Sequence, residues 1–292
     1  MADDLGGLAV IRAGVQDAPQ IAAFLTRHCD TSMFALANLA QHGMDNDHPR
    51  ALRCWLRHAA GQINDVMTIT TEGMAMPQCP TFAPDDWTIA AQATAGIPLI
   101  GIIGPAVQAR GFALAAGLSH APASLNQDEP FMALDLSRLA VPEGQAQIVP
   151  LAAAPRHTVF DWMTAYQVEA LGSDLPKARD RAEHSLAAYL AAGSHVVLMR
   201  GDTPLAMTGF NARLPGIVQI GGVYTPPDLR GLGHARRAVA LHLAQAQGMG
   251  VARAVLFSAS KAAARAYHAI GFRQTGDWTL CLFDSPQMVC HG

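Results

Sequence analysis

Arg230-Gly231-Leu232-Gly233-His234-Ala235 sets one guanidinium and three small residues just ahead of a long amphipathic run. A helix N-terminus carries free N–H groups and a partial positive charge, so it can bind a pyrophosphate. The backbone can approach phosphates only where side chains are absent or tiny, which is what Gly231, Gly233 and Ala235 offer. The bare pattern Arg/Gln-x-x-Gly-x-Gly/Ala is weak, because it also starts at Gln108, Gln245 and Gln247. Context chooses among the four. The Gln245 and Gln247 matches fall at a predicted helix C-terminus, whose dipole repels phosphate. Only Arg230 follows an extended Gly-Gly-Val223-Tyr224-Thr225 strand and a Pro-Pro-Asp turn and then leads into a helix. A dinucleotide fingerprint on Gly231 and Gly233 fails, since its third small position is Arg236.

A second cluster lies downstream, in Ser260-Lys-Ala-Ala-Ala-Arg-Ala-Tyr267-His-Ala-Ile-Gly271-Phe272. Taken alone, Tyr267 reads as an ordinary helix-face aromatic. Together the two segments resemble the GNAT N-acetyltransferase superfamily, in its order: an Arg/Gln-x-x-Gly-x-Gly/Ala loop, then a helix ending in Tyr-x-x-x-Gly-Phe. The resemblance covers about residues 146–285. It implies acetyl-CoA as co-substrate, held by Val223, Tyr224, Thr225, Arg230, Gly231, Leu232, Gly233, His234 and Ala235, with His234 giving only its backbone N–H. It also implies that Tyr267 protonates the departing thiolate, a role that suits a phenol of pKa ~10. The family often has Asn, contacting CoA, seven residues before the tyrosine; here the resemblance gives that cofactor contact to Ser260, a shorter residue that can still hydrogen-bond. A homodimer is a further family-level expectation.

Acetylation of an amine needs an acceptor for its proton. The strand Ile217–Tyr224 offers no acid, which leaves Glu169, Glu183 and Asp277. Glu169 leads, because it follows Trp162 and Tyr166 at helical spacing on the helix expected beside the substrate. No cysteine is placed to act as a nucleophile, so direct attack in a ternary complex is expected. His157, His184, His234 and His268 lack metal-ligand spacing, and no metal is expected.

The elements that must position these residues recur along the chain. Leu8–Arg12 followed by a helix from Gln20 to His28 parallels Gln147–Leu151 followed by a helix from Thr158 to Ala170, with Pro19 and Pro155 at the helix starts. In the second half a helix over 183–192 precedes strands at 195–200, 205–214 and 217–224. A helix from Gly233 to Ala246, a strand at 254–257, a helix from Lys261 to Ile270 and a strand at 279–283 complete it. This is mixed α/β with a mostly antiparallel sheet flanked by helices, a GNAT-like fold in two tandem copies. The Pro/Gly segment Leu139–Gln145 sets the domains at 1–144 and 145–292.

The first half reads as a degenerate copy. Strand Leu99–Ile103, helix Ala106–Ala116 and Gly117-Leu118 parallel the Tyr267 region, with Ala113 in the tyrosine's place. If the Gln108 match is instead a phosphate loop, no Tyr-bearing helix follows it before residue 150. Either way the half lacks one part and serves as scaffold and substrate wall. Phe34–Leu39 resembles openings of some two-domain GNAT proteins.

Composition bounds the function. With 292 residues, half apolar and 15% charged, the chain has core material for two domains. A net charge of −3 without a basic run argues against nucleic-acid binding. Five scattered cysteines fit a reducing cytoplasm. Residues 1–25 show no basic start with an apolar run, and the uncharged stretch 87–109 is broken by Gly and Pro, reading as a helix then a buried strand rather than a membrane span. The expected function is acetyl transfer to a small-molecule or peptide amine; the alternative is a non-catalytic acyl-CoA sensor.

Overall fold

The computed structural model describes residues 9–290. The chain forms two compact units, Met1–Glu129 with Gly276–Gly292, and Pro130–Thr275. Both follow one element order. In the first, β1 (Ile11–Arg12) leads to α1 (Ala18–Arg27), α2 (Cys29–His42), β2 (Leu52–Ala59), β3 (Gln62–Thr70), β4 (Met74–Gln78), α3 (Pro84–Ala93), β5 (Pro98–Pro105) and α4 (Ala106–Ala115). After β6 (Ala123–Asp135), the second unit runs β7 (Gln147–Pro150), α5 (Arg156–Leu171), α6 (Leu175–Ala192), β8 (His195–Arg200), β9 (Thr203–Leu214), β10 (Ile217–Tyr224), α7 (His234–Gly248), β11 (Arg253–Phe257) and α8 (Lys261–His268), and β12 (Arg273–Met288) closes the chain. The expected strand from Leu8 begins outside the described residues; its visible part is β1. The uncharged stretch resolves into α3 and β5, and among the described residues no helix is long and apolar enough to cross a membrane.

The split between the two compact units falls inside β6. Residues Phe131–Asp135 pair antiparallel with β11, which draws the start of the second unit back to Pro130. The Pro/Gly segment then lies within that unit. Arg237 of α7 holds it there by donating to the carbonyls of Pro142, Gly144 and Ala146. From Trp278 onward β12 pairs with β5 and belongs to the first unit.

In the second unit β7, β8, β9 and β10 form an antiparallel meander. Its tight turns are Gly201-Asp202 and Pro215-Gly216, and both glycines have positive φ. Asp174 caps α6 by accepting from the Lys177 N–H at 2.9 Å, and Gly193 ends it in the left-handed region. That cap starts α6 eight residues before the expected Glu183. One core packs Phe210, Val218 and Ile220 of the sheet against α7 and α8. Another packs Val197, Met207 and Tyr224 of the opposite face against α5 and α6.

Candidate functional site

The site is built where β10 and β11 part. These parallel strands pair only at Ile217↔Arg253, Val218↔Ala254 and Gln219↔Val255, although β10 continues to Tyr224 and β11 to Phe257. Beyond Gln219 the two strands open a wedge. On its other edge β10 carries a bulge: Gly221 pairs with Gly209 and Tyr224 with Met207, so an extra residue drops out of the ladder around Val223. Gly222 at the bulge has φ +59°.

The chain then turns through Pro226–Leu229 into Gly231 and Gly233, each at φ +79°, and Gly233 is the N-cap of α7. A Cβ on Gly231 would meet nothing within 4 Å. The backbone there is uncovered and in a conformation that favours glycine. The first turn of α7 holds no acid, so its leading N–H groups face no carboxylate of their own helix. Arg236 stands over this turn, its Nη2 3.3 Å from where a Gly233 Cβ would sit, and its Nε is buried without a hydrogen-bond partner. Two left-handed glycines, a helix start free of acid and a partly unsatisfied guanidinium fit an anionic pyrophosphate.

Tyr267 is buried on α8, its ring edge-on to Phe272 at 5.9 Å. The Phe272 N–H returns to the Tyr267 carbonyl at 3.2 Å. Gly271 makes that turn possible: it has φ +110°, and a Cβ there would lie 2.7 Å from the Arg138 carbonyl oxygen. Ser260 is the N-cap of α8, its hydroxyl accepting from the Ala263 N–H at 3.1 Å.

Three of the sequence-selected residues meet directly. The Tyr224 hydroxyl donates to Glu169 Oε1 at 3.1 Å, and Arg230 Nη2 donates to Glu169 Oε2 at 2.5 Å. Arg230 Nε also donates to the Thr225 carbonyl at 2.9 Å, closing the loop on itself. Burial first, and then the Glu169 carboxylate, raise the Tyr224 phenol above its ordinary pKa. The Tyr224 ring packs against Trp162 at 6.2 Å. Beside Glu169 a cavity of about 360 Å³ opens along α5 and the start of α6, with Asp161, Thr164, Val168, Leu175 and Arg179 in its walls. The other two candidate acids stand elsewhere: Glu183 is exposed on α6, and Asp277 lies in the part of β12 grouped with the first unit.

Sequence reasoning missed two residues. Arg236 is one; its value appears only once α7 is seen to start at His234. The other is His195 on β8, 1% exposed, its ring stacked on Tyr189 at 3.6 Å. Its Nδ1 contacts the Ser194 hydroxyl at 2.9 Å, and its Nε2 is buried without a partner against the β10 bulge, 2.7 Å from where a Gly222 Cβ would be. Burial pushes its pKa down to about 3, so the ring is neutral. The sequence holds no signal for it, because the space it fills is made by Gly209 and Gly222 on other strands.

Residues 156–272 match the model of the acetyltransferase (GNAT) family. A GCN5-related N-acetyltransferase from Sphaerobacter thermophilus shares the fold over 97% of this chain and 96% of its own, at 14% identity and a TM-score of 0.58. A Drosophila protein does so over 96% and 100%, at 13% identity and a TM-score of 0.57. A GCN5-related N-acetyltransferase from Kribbella flavida covers 76% and 87%, at 17% identity and a TM-score of 0.50. A search of the curated proteins finds no match. Parted parallel strands, an acid-free helix start after two left-handed glycines and the Tyr-x-x-x-Gly-Phe turn thus sit in a segment, 156–272, that belongs to the acetyltransferase (GNAT) family.

Proposed function

We propose that the second unit transfers an acetyl group from acetyl-CoA to the amine of a small molecule or peptide, by direct attack. The observation that carries this reading is the start of α7: two glycines at φ +79°, no acid in the first turn, and the Arg236 guanidinium beside them. Acetyl-CoA supplies an acyl group activated as a thioester. The α7 N–H groups with Arg230 and Arg236 hold the pyrophosphate, while Val223, Tyr224 and Thr225 offer backbone along the wedge. The N–H at Val223 polarises the carbonyl on which negative charge develops. The acceptor enters by the cavity along α5, and its nitrogen bonds to the carbonyl carbon as the C–S bond breaks. Glu169 takes the amine proton, and Tyr267 gives its phenolic proton to the departing sulfur. Ser260 contributes by capping the helix that carries Tyr267. We place the reaction in the cytoplasm.

Two observations favour a second reading, a non-catalytic acyl-CoA sensor: β10 carries no acid, and Glu169 is already engaged by Arg230. Incubation with acetyl-CoA and a panel of amines decides between them. Free thiol that rises with amine concentration, and falls sharply in Tyr267→Phe, supports the enzyme. Binding of acetyl-CoA with no thiol release from any amine supports the sensor.

A further inference from the structure

The proposed reaction asks two things of neighbouring side chains that the structure does not grant together. Arg230 should meet a phosphate and Glu169 should accept a proton, yet one guanidinium N–H sits 2.5 Å from Glu169 Oε2. With this ion pair in place, the carboxylate is shielded by a cation and the cation is spent on a carboxylate. Resting on the acyl-CoA reading, we infer that Arg230 changes partner, leaving Glu169 for the pyrophosphate, so that acyl-CoA binding uncovers the carboxylate for the acceptor amine.

Three features make the exchange cheap and directed. The pair is open to water, with side chains 47% and 41% exposed, and ion pairs of that kind are worth little. Arg230 directly precedes Gly231 and the uncovered α7 start, so turning its side chain brings it to an anion there, at the cost of its exposed bond to the Thr225 carbonyl. A doubly charged pyrophosphate at a helix N-terminus is a stronger partner for a guanidinium than one exposed carboxylate. Glu169 does not drift when Arg230 leaves. Tyr224 holds its other oxygen at 3.1 Å, and Tyr224 is itself fixed by Trp162 and the α5–α6 core. Tyr224 is therefore a positioning residue for Glu169, and Arg230 is the movable one. Acyl-CoA and amine then bind in that order, because an acceptor entering first finds Glu169 occupied.

The test is calorimetric titration of desulfo-CoA into wild type, Glu169→Gln, Arg230→Ala and the double variant. Glutamine at 169 removes the competing charge and should tighten binding by about two- to fivefold, the value of one exposed ion pair. In the Arg230→Ala background the same change should do nothing. Unchanged or weaker binding in Glu169→Gln overturns the exchange, and so does equal tightening with and without Arg230, which would be a general charge effect. Absence of binding to wild type is a different failure, since it removes the acyl-CoA reading itself. Tyr224→Phe adds a readout that a purely structural role would not move. Loss of its hydrogen bond to the carboxylate should lower kcat by about tenfold or more with a smaller change in the acceptor KM, because the amine still binds but its proton acceptor is misplaced. An unchanged kcat would contradict the positioning role.

Discussion

The same element order appears twice in this chain, but the two helix starts that could bind an anion are opposites. In the second unit α7 opens after two left-handed glycines with no acid in its first turn. In the first unit the equivalent helix, α3, opens after Cys79-Pro80-Thr81-Phe82-Ala83, with no glycine and with Asp85 and Asp86 in its first turn. Asp86 accepts from the Ala83 N–H at 2.7 Å and pairs with Arg57 at 2.8 Å. Arg57 also donates to buried Asp65 at 2.9 Å and stacks on Phe82. The first unit thus meets its helix N-terminus with its own carboxylate, whose charge would repel a phosphate; the second has no acid in that turn.

The helix that carries Tyr267 diverges from its counterpart in the same way. The Leu118 N–H returns to the Ala113 carbonyl at 2.8 Å, as the Phe272 N–H returns to Tyr267. The turn is kept and the phenol is gone. Gln108, which could have marked a phosphate loop, lies inside α4 and accepts from the Cys79 N–H at 2.6 Å. An anion site in this fold therefore depends less on the backbone path than on which group fills the helix start.

Breaking the contrast at the tyrosine should have the largest effect. Tyr267→Phe gives the second unit the first unit's chemistry, and kcat should fall by about 10²–10⁴-fold with acetyl-CoA affinity unchanged, read by thiol release and calorimetry. A variant that keeps most of its turnover would show that sulfur is protonated by another group.

The next effect concerns pH and belongs to the second unit. His195 has its pKa lowered to about 3 and His242 to about 4, both chiefly by burial, against 6.5 when unfolded. Because the folded values are depressed, the unfolded chain binds more protons between about pH 6.5 and 3. Stability is full above 6.5 and is lost as pH falls through that window, at up to about 1.4 kcal/mol per pH unit for each histidine. Urea midpoints at pH 7 and pH 5 measure this. His195→Asn should flatten the dependence, and an unaltered slope would mean that the ring is not held neutral.

A smaller, comparative effect is expected at the paired turn glycines. Gly271→Ala forces a Cβ to within 2.7 Å of a carbonyl at φ +110°, whereas Gly117 has φ +71° with its nearest atom at 3.8 Å. Alanine should cost about 2–3 kcal/mol at 271 and about 1 kcal/mol at 117, read as the difference in melting temperature. Equal costs would show that the two turns are interchangeable. With no effect on function, Asp86→Asn should leave acetyl-CoA affinity unchanged and lower stability by about 1–3 kcal/mol, through weakening of the cap and loss of the ion pair with Arg57.

The two units also differ in how much of them could be read from sequence. Around the site the local signals are strong: Pro215-Gly216 for the hairpin, Gly193 and Gly271 for helix ends, and the loop before α7. Those elements appear where expected. In the first unit the β2–β4 meander is not legible in the sequence, because Arg53, Arg57 and Asp65 interrupt its apolar pattern and find their partners on other elements. The compact unit that starts at Pro130 is not legible in the sequence, because the pairing of residues 131–135 with β11 has no local signal comparable to the Pro/Gly segment that follows. Glu169, Tyr224 and Arg230 each stand out in the sequence, but their meeting is not legible there. Glu169 and Arg230 are 61 residues apart, and only the packing of α5 on the end of β10 joins them.

The most direct test is calorimetric titration of acetyl-CoA into wild type and Gly233→Glu, with melting temperatures recorded for both. Glutamate at 233 installs at α7 the kind of carboxylate that α3 already has. The expected result is one site per chain, abolished in the folded variant. Two sites per chain, or a site that survives Gly233→Glu, would contradict the assignment of acyl-CoA binding to the start of α7.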